Sequence, residues 1–279
     1  MMKNPLTRLV IRSYETARTG WVRRLHRAWC GSARWSRFHF GMRLTGNSTG
    51  YYFDLTTLLL KWVIRRRWNH TRIRRGLEIG VGESANLAGY FSRYGRIHFD
   101  AVDLREREVE SARKHVALNG VDVCVFQSDV FSNVPPGRYD LIFWNLPYRI
   151  PPEHYLPALF RGCREYLSPD GELIIGYNAS PLPRETVLEH LHAAGGLRLI
   201  EANTWWWNPH DVLVIGHEPS PGYRPNPNPP RPGSPRMGRA AGRRPTSGGT
   251  IHPRLPPPSP DRFDPGRVHS RFNTVRTLL

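Results

Sequence analysis

The segment GLEIGVG, residues 76–82, is a short apolar run that leads directly into a turn with two glycines. The next residues, SANLAGYFSRY at 84–94, carry apolar side chains at helical spacing, and Ser84 is a candidate N-cap. A strand, a glycine turn and a helix follow one another here without a spacer. This segment therefore predicts the start of an alternating α/β domain.

The alternation continues through residue 218. The sequence predicts further strands at 97–104, 121–129, 138–145, 172–178, 197–207 and 211–218, and further helices at 105–120, 153–167 and 184–196. Alternating units of this kind form a parallel sheet with helices on both faces. The last two strands have no helix between them, so one of them must run antiparallel. The predicted fold is α/β: a Rossmann-like, seven-stranded, mostly parallel sheet with an antiparallel last strand.

Charge divides the chain into three parts. Residues 1–75 hold 17 Lys and Arg and two acids, residues 76–218 hold 12 and 19, and residues 219–279 hold 11 and two. The last part also holds 15 of the 26 prolines, and it has too little apolar periodicity to form a core. We therefore predict a basic helical extension at 1–37, the α/β domain at 38–218 and a disordered Pro/Arg-rich tail at 219–279. Basic arms suit a nucleic acid, a ribosome or an anionic membrane, or they are solvated flanks without a partner.

Several kinds of site are disfavoured. Cys30, Cys124 and Cys163 lie far apart and the twelve histidines show no metal-ligand spacing, so we predict no disulfide framework and no metal site. Cys124 lies in an apolar run and is interpreted as a core residue. The longest apolar stretch, 55–64, contains Lys61 and is too short to span a membrane. We expect a cytoplasmic protein without a membrane partner, with an organelle as the alternative because the N-terminus is Arg-rich.

Polar residues follow three successive predicted strands. Gly80 and Gly82 form the first turn, Asp103 ends the second strand and Asp129 ends the third. The carboxyl ends of parallel strands share one edge of the sheet, where such folds bind ligands. A carboxylate at Asp103 can accept both hydroxyls of a ribose, and one at Asp129 can accept an adenine amine. The pattern predicts a nucleoside ligand.

Two nucleoside ligands compete for this site. A dinucleotide prefers a third glycine and a helix N-terminus that is free to bind pyrophosphate. Here Glu83 and Ser84 occupy the turn, and Glu78 lies just before it. These acids would repel a pyrophosphate, but they suit a cationic ligand with an amino group. The sequence therefore favours S-adenosyl-L-methionine as the cofactor.

Four short patterns occur in order after successive predicted strands: ExGxGxS (78–84), AVDL (101–104), QSDVF (127–131) and NLPY (145–148). With them the chain resembles class I S-adenosylmethionine-dependent methyltransferases of the branch that carries an (N/D)PP(Y/F) motif. The most similar members by pattern are release-factor glutamine methyltransferases and methyltransferases of the small-domain type. The resemblance extends over about residues 38–218.

The resemblance assigns cofactor contacts by position. It implies that the methionine part, the ribose and the adenine are each held after a different strand, with the motif at 145–148 beside them. The cofactor-binding residues expected in this way are Glu78, Gly80, Gly82, Asp103, Asp129, Val130 and Asn145.

The resemblance also implies that NLPY binds the methyl acceptor, a planar amide or base amine. The side-chain oxygen of Asn145 and the backbone carbonyl of Leu146 would accept its N–H groups and stabilise the positive charge that develops on nitrogen. Pro147 would stiffen the turn, and Tyr148 would stack on the planar group. These four residues are the predicted catalytic residues.

Two departures from the family pattern stand out. The first proline of the motif is replaced by Leu146, which removes one backbone constraint. Glutamine methyltransferases usually carry Pro-Arg-Pro upstream, whereas this chain has Phe53-Asp54-Leu55, followed by Thr56-Thr57. This difference weakens glutamine as the substrate. Thr57 is expected to approach the cofactor.

These observations predict an S-adenosylmethionine-dependent N-methyltransferase. Its acceptor would be a planar amide or exocyclic amine of a macromolecule: a glutamine of a protein, such as a ribosome-associated one, or a base of RNA or DNA. One alternative is a small-molecule N-methyltransferase of specialised metabolism. Another is a non-catalytic protein that binds RNA or the ribosome on a methyltransferase fold. Trp205–Trp207 are interpreted as core or lid residues rather than a platform for bases.

Overall fold

A computed structural model of the chain describes residues 21–45, 52–147, 150–204 and 209–219, with side chains from residue 24 onward. Residues 1–20 of the predicted extension, Tyr148, Trp205–Trp207 and residues 220–279 of the predicted tail lie outside the described residues. The described elements, in chain order, are α1 (Trp21–Cys30), α2 (Ala33–Phe40), α3 (Leu55–Arg67), β1 (Arg75–Ile79), α4 (Asn86–Gly95), β2 (His98–Asp103), α5 (Glu106–Asn119), β3 (Val123–Gln127), β4 (Tyr139–Asn145), a 3₁₀ turn (Pro152–His154), α6 (Leu156–Tyr166), β5 (Leu167–Asn178), α7 (Arg184–Ala194), β6 (Leu197–Thr204) and β7 (His210–His217).

The seven described strands form one sheet in the order β3-β2-β1-β4-β5-β7-β6. β1 pairs in parallel with β2 and β4, and parallel pairs also join β2 to β3 and β4 to β5. β7 is antiparallel to both β5 and β6. The chain runs outward from β1 to β3 and then returns to place β4 on the other side of β1. The predicted seven-stranded fold is confirmed, and strand order reverses between β1 and β4.

The central strands bury side chains on both faces of the sheet. In β4, Leu141 and Phe143 belong to one apolar core, while Ile142 and Trp144 belong to the other. This division follows from the alternation of side chains along a strand. Helices α1 to α5 contribute to the first core, and α6 and α7 contribute to the second.

The two N-terminal helices take part in this packing. Cys30 and Phe40 are buried in the first core. The hydroxyl of Ser36 donates to Oδ1 of Asn86 at 2.7 Å, which joins α2 to the start of α4. Helix α2 therefore crosses the expected boundary between residues 37 and 38, and its inner face packs with the α/β domain.

The predicted N-cap of α4 was wrong. The cap is Ala85, which has a left-handed φ of +50° and makes no side-chain hydrogen bond there. Ser84 instead donates its hydroxyl to the carbonyl of Tyr52 at 3.0 Å. Ser84 thus links the turn after β1 to the segment that precedes α3.

Two predictions about strands were also wrong in detail. Cys124 is exposed, because β3 is an edge strand and alternation gives its buried positions to Val123 and Val125. The strand predicted to begin at residue 172 begins at Leu167, and its pairing register with β4 shifts between Tyr139 and Leu141. The irregularity accommodates residues 168–171, which lie between Leu167, the partner of Tyr139, and Glu172, the partner of Leu141.

Candidate functional site

An open cleft lies at the carboxyl ends of β1 and β4, where strand order reverses. Open α/β sheets bind ligands at this position. The N-terminus of α3, the turn after β1 and the first turn of α4 form its walls. The cleft is lined by Tyr52, Phe53, Asp54, Thr57, Glu78, Gly80, Val81, Gly82, Glu83, Ser84, Asn86, Leu87 and Asn145. Four predicted cofactor residues, Glu78, Gly80, Gly82 and Asn145, therefore come together, and Thr57 joins them.

The two glycines of the turn after β1 serve different purposes. Both are left-handed, with φ of +67° at Gly80 and +62° at Gly82, a conformation that strains other residues. A Cβ on Gly80 would lie 2.5 Å from Nε1 of Trp144, so the indole packs against this glycine. No described atom lies within 4 Å of a Cβ built on Gly82. Gly82 therefore leaves room for a ligand to approach the backbone.

Glu78 places a buried carboxyl group at the cleft. Its Oε2 accepts the backbone N–H of Ala88, in α4, at 2.8 Å. Burial raises the pKa of Glu78 to about 8; the Ala88 N–H opposes this rise and the charge of Asp103 adds to it. Because this pKa lies close to neutrality, an incoming cation would favour the ionised form and so bind to it.

Asp103, at the end of β2, lies behind the glycine turn and does not line the cleft. Its Oδ2 accepts the N–H of Gly82 at 3.0 Å, and its Oδ1 accepts the N–H of Arg105 at 3.1 Å. Only 8% of the residue is exposed. Asp103 thus holds the turn that forms the cleft, and its contact with a ribose stays a prediction.

Asp129 and Val130 follow β3 and also lie outside the lining. Asp129 is exposed, and its N–H donates to Oγ of Ser132 at 3.0 Å. Val130 is buried with a left-handed φ of +50°, which is rare for a β-branched residue. Ser128 donates its hydroxyl to the Val130 carbonyl at 3.1 Å and helps to hold this conformation. The expected contacts of both residues with adenine stay predictions.

Asn145 ends β4, and its side chain is held by Asp54, the N-cap of α3, and by Thr57 of α3. Nδ2 donates to Oδ1 of Asp54 at 3.1 Å and to Oγ1 of Thr57 at 3.3 Å. An ionised carboxylate can only accept hydrogen bonds, so Asp54 determines which end of the amide faces it. The amide oxygen of Asn145 is left to the cleft, with no partner among the residues that the structure describes.

Asp54 is a cleft residue that was not among the predicted site residues. Its Oδ1 accepts the N–H and the hydroxyl of Thr57, both at 2.8 Å, and its own N–H donates to Oγ1 of Thr57 at 3.2 Å. This capping box starts α3. The pattern Asp-x-x-Thr before an apolar run signals a helix start. It contains no sign that the same carboxylate reaches β4.

The rest of the NLPY motif is engaged elsewhere. Leu146 is buried, and its N–H donates to the carbonyl of Gly176 on β5 at 2.8 Å. The carbonyl of Pro147 accepts the hydroxyl of Tyr155 at 3.0 Å. Neither residue lines the cleft, and Tyr148 lies outside the described residues. The catalytic roles of these three residues stay predictions.

The chemistry of the lining suits a cationic cofactor. It contains three acidic side chains, Asp54, Glu78 and Glu83, and no Lys or Arg. S-adenosyl-L-methionine carries a sulfonium and an ammonium group, whereas a dinucleotide carries an anionic pyrophosphate. The buried carboxyl of Glu78 and the open space at Gly82 therefore fit the former.

The family model of the methyltransferase small domain matches residues 52–201, which is more than half of the chain. The chain belongs to the methyltransferase small domain family. The match includes every residue that lines the cleft. Membership confirms the predicted class, a domain of the S-adenosylmethionine-dependent methyltransferase type.

Curated relatives of this small-domain methyltransferase include two bacterial proteins named ribosomal RNA small subunit methyltransferase C. Those of Salmonella arizonae and Salmonella paratyphi B are each 34% identical to the chain over 116 residues. The matches cover 40% of this chain and 33% of each relative. The chain thus spans about a third of the length of these relatives.

Solved structures share the fold at low sequence identity. A ribosomal protein L11 methylase from Lactobacillus delbrueckii subsp. bulgaricus matches with a TM-score of 0.51 and 20% identity, over 60% of this chain and 81% of that one. A methyltransferase from Pyrococcus furiosus matches with a TM-score of 0.51 and 21% identity, over 64% and 90%. These likenesses confirm the Rossmann-like methyltransferase fold of this family member.

Three other features of the described residues concern metal ligands, membrane spans and reactive thiols. No group of three His, Cys, Asp or Glu side chains there is placed to hold a metal ion. No described helix is long and apolar enough to cross a membrane. Burial, reinforced by the charge of Asp54, raises the pKa of the Cys30 thiol to about 12, and burial also raises that of Cys163. Neither thiol has the character of a nucleophile.

Proposed function

We propose that this chain transfers a methyl group from S-adenosyl-L-methionine to the exocyclic amine of an RNA base, with ribosomal RNA as the first candidate. The observation that carries the proposal is the amide of Asn145, which Asp54 and Thr57 hold by its nitrogen so that its oxygen is left to the cleft. The names of the Salmonella relatives support ribosomal RNA as the acceptor.

Asn145 supplies what an exocyclic amine requires. The lone pair of such an amine is delocalised into the base, so the nitrogen is a poor nucleophile. An N–H donated to Oδ1 of Asn145 would orient the nitrogen and stabilise the positive charge that develops on it. Asp54 strengthens the effect, because it prevents the amide from turning its Nδ2 toward the acceptor. The carbonyl of Leu146, the turn at Pro147 and the ring of Tyr148 complete the proposed acceptor site.

The cofactor would lie along the turn after β1. When bound, it supplies an electrophilic methyl group. Glu78 would bind the ammonium group through its carboxylate, and Gly82 would let the ligand reach the backbone. Asp103 would accept the ribose hydroxyls, with Asp129 and Val130 at the adenine.

A macromolecular acceptor agrees with the distribution of charge. The first 75 residues carry a net charge of +15, and residues 219–279 carry +9. Phosphate contacts need positive charge but little sequence specificity. We propose that the extension at 1–37 and the tail at 219–279 bring the domain to RNA, with the cytoplasm as the compartment. Phe53-Asp54-Leu55 in place of Pro-Arg-Pro makes a protein glutamine the second choice.

The test is transfer of labelled methyl from S-adenosyl-L-methionine into RNA, protein and small molecules prepared from a host that lacks the gene. Label is expected in an RNA fraction, and nuclease digestion should release it as a base methylated on an exocyclic nitrogen. Asn145→Ala should lower kcat by about 100-fold or more while the protein stays folded.

Asn69→Ala is the matched control. Asn69 is exposed in the turn before β1, at the opposite end of the sheet, and its Oδ1 only accepts from the N–H and hydroxyl of Thr71. This variant should methylate at the normal rate. Label in protein or in small molecules instead of RNA would overturn the proposed substrate. Full activity of Asn145→Ala would overturn the proposed role of the amide.

A further inference from the structure

The outer surface of α1 and α2 is strongly basic. Residues 21–45 contain six arginines and no acidic residue. Arg24, Arg27, Arg34 and Arg37 are exposed, and none forms an ion pair with another residue of the described ranges. Arginines left unpaired on one short pair of helices create a positive field that attracts a polyanion.

Exposed aromatic rings are interleaved with these arginines. Trp35 is 43% exposed and Phe38 is 75% exposed. Because they lie three residues apart on α2, they share one face, and their centroids lie 5.6 Å apart in an edge-to-face arrangement. Arg34 and Arg37 precede them in sequence by one residue each. Single-stranded nucleic acids bind surfaces of this composition, because arginines contact phosphates and rings stack on unpaired bases.

A series of ring contacts connects this surface to the cleft. The ring of His39 lies 5.1 Å from that of Phe38 and 5.4 Å from that of Phe53, measured between centroids. Phe53 lines the cleft. The buried hydrogen bond from Ser36 to Asn86, another lining residue, joins α2 to the opposite wall. The basic aromatic surface is therefore connected to the wall of the candidate active site through His39.

The accessibility of the acceptor favours a single strand. In a duplex, an exocyclic amine is paired and stacked, so the nucleotide must be unpaired or flipped out before it can enter a cleft. The bases next to it then also lose stacking partners. Exposed rings beside the cleft would replace those partners.

We propose that the outer face of α1 and α2, around Trp35, Phe38 and their neighbouring arginines, binds a single-stranded segment of the RNA substrate next to the methylated base. This inference rests on the proposed function and adds the class of substrate: an unpaired loop or strand rather than a duplex.

Binding of the full chain to fluorescently labelled RNA, followed by anisotropy without cofactor, tests the inference. The probes are a single-stranded oligonucleotide and a perfect duplex of the same sequence. The double variant Trp35→Ala/Phe38→Ala should bind the single strand about 10-fold more weakly, with an unchanged dependence on salt. Arg34→Gln/Arg37→Gln should bind more weakly as well, and its slope of log affinity against log salt should fall by about 0.7 for each arginine.

Matched controls are available on other surfaces. Trp62 is 49% exposed on α3, and the guanidinium of Arg66 that covers it pairs with Glu201 of β6, at the far edge of the sheet. Arg161 is exposed on α6. Trp62→Ala and Arg161→Gln should both leave RNA affinity unchanged. Each comparison uses the full chain, so the arginines outside the described residues contribute equally to every variant.

The outcomes separate the two proposals. If Trp35→Ala/Phe38→Ala binds the single strand as well as the parent does, or if the duplex binds equally well, the stacking surface is disproved. Asn145→Ala should bind RNA normally and fail to methylate, whereas Trp35→Ala/Phe38→Ala should raise KM for RNA and leave kcat unchanged. Methylation of protein instead of RNA would refute the proposed function, whatever the RNA affinities are.

Discussion

The two ends of helix α3 hold carboxylates in opposite ways. At its N-terminus, Asp54 caps the helix and lines a cleft that contains three acidic side chains and no basic side chain. At its C-terminus, both carboxylate oxygens of Glu172 bind Arg67, at 2.7 and 2.8 Å, and one of them also pairs with Arg72. Arg66 and Arg67 pair in addition with Glu201 of β6.

The helix dipole favours an acid at the first end and bases at the second, which agrees with Asp54 and with Arg66 and Arg67. The arginines at the second end also determine how readily a buried acid there ionises. Burial opposes ionisation of Glu172, yet hydrogen bonds from Arg67 and Arg72 hold its pKa below the ordinary value. Burial raises the pKa of Glu78, which has no such partner, to about 8. The arginines that neutralise Glu172 stabilise the fold, whereas the carboxyl group of Glu78 lines the cleft.

The largest effect is expected at the neutralised end. Arg67→Ala removes two hydrogen bonds from a buried carboxylate and leaves it with Arg72, so we expect the free energy of unfolding to fall by about 2 kcal/mol. Urea denaturation measures the change. Affinity for the cofactor in the remaining folded protein should not change, because Arg67 does not line the cleft.

Arg66→Ala is the control for this change. The side chain of Arg66 is 43% exposed, so its pair with Glu201 should contribute less than about 1 kcal/mol. An equal loss of stability in the two variants would show that burial of Glu172 does not set the difference. A loss of cofactor affinity in Arg67→Ala would contradict the view that the C-terminal end of α3 serves stability and the N-terminal end serves cofactor binding.

The second prediction concerns the open end. Asp54→Asn keeps a good N-cap, so stability should change by less than about 0.5 kcal/mol. The new amide can donate as well as accept, so Asn145 is no longer forced to face it with Nδ2. We expect kcat to fall about 30-fold, which is less than the effect of removing a preorganised hydrogen bond completely. The KM for the cofactor should change little.

Asp140→Asn is the matched control, since Asp140 accepts N–H groups from Arg74 and Arg75 at the amino end of the sheet. It should leave kcat unchanged. Steady-state kinetics and urea denaturation of both variants provide the readouts. If Asp54→Asn were as active as the parent, Asp54 would be a helix cap and nothing more.

The third prediction uses the raised pKa of Glu78. Its ordinary value is 4.5 and its value in the fold is about 8, so between these pH values the folded protein holds a proton that the unfolded chain has lost. The free energy of unfolding should therefore fall as pH rises through this window, by at most about 1.4 kcal/mol per pH unit. Glu78→Gln stays neutral, so its free energy of unfolding should lack this dependence on pH. The stability of the variant relative to the parent should therefore rise from pH 6 to pH 8.

Cofactor binding should show the opposite dependence. The ionised carboxylate binds an ammonium group, so the affinity of the parent should rise as pH increases toward 8, and Glu78→Gln should lack this rise. Titration calorimetry at pH 6 and pH 8 measures the cofactor affinity of the parent and of Glu78→Gln. Identical pH profiles for parent and variant, in stability and in binding, would place the titrating group elsewhere.

The sequence predicted the fold better than the site. The glycine turn at 80–82 and the alternation after it follow from local patterns, and local patterns suffice for strands that are buried on both faces. Cys124 was misplaced because the apolar pattern does not show that β3 is an edge strand. Asp54 was missed because its hydrogen bond to Asn145 joins residues 91 positions apart. Only the packing of α3 over β4 and β5 brings them together.

The smallest effect on kcat is expected at Leu146. Here the departure from the family motif has a structural reason. Its N–H bonds to the carbonyl of Gly176 and extends the pairing of β4 with β5, which ends at Asn145. Leu146→Pro restores the family motif but removes this donor, at a cost of about 1 kcal/mol. The stiffer unfolded chain offsets part of the loss, but the buried leucine side chain is also lost, so we expect a net destabilisation of about 1.5 kcal/mol. Because Asp54 and Thr57 hold Asn145 independently of residue 146, kcat should stay within about twofold of the parent. A large loss of kcat at unchanged stability would mean that the backbone at 146, rather than the amide of Asn145 alone, positions the acceptor.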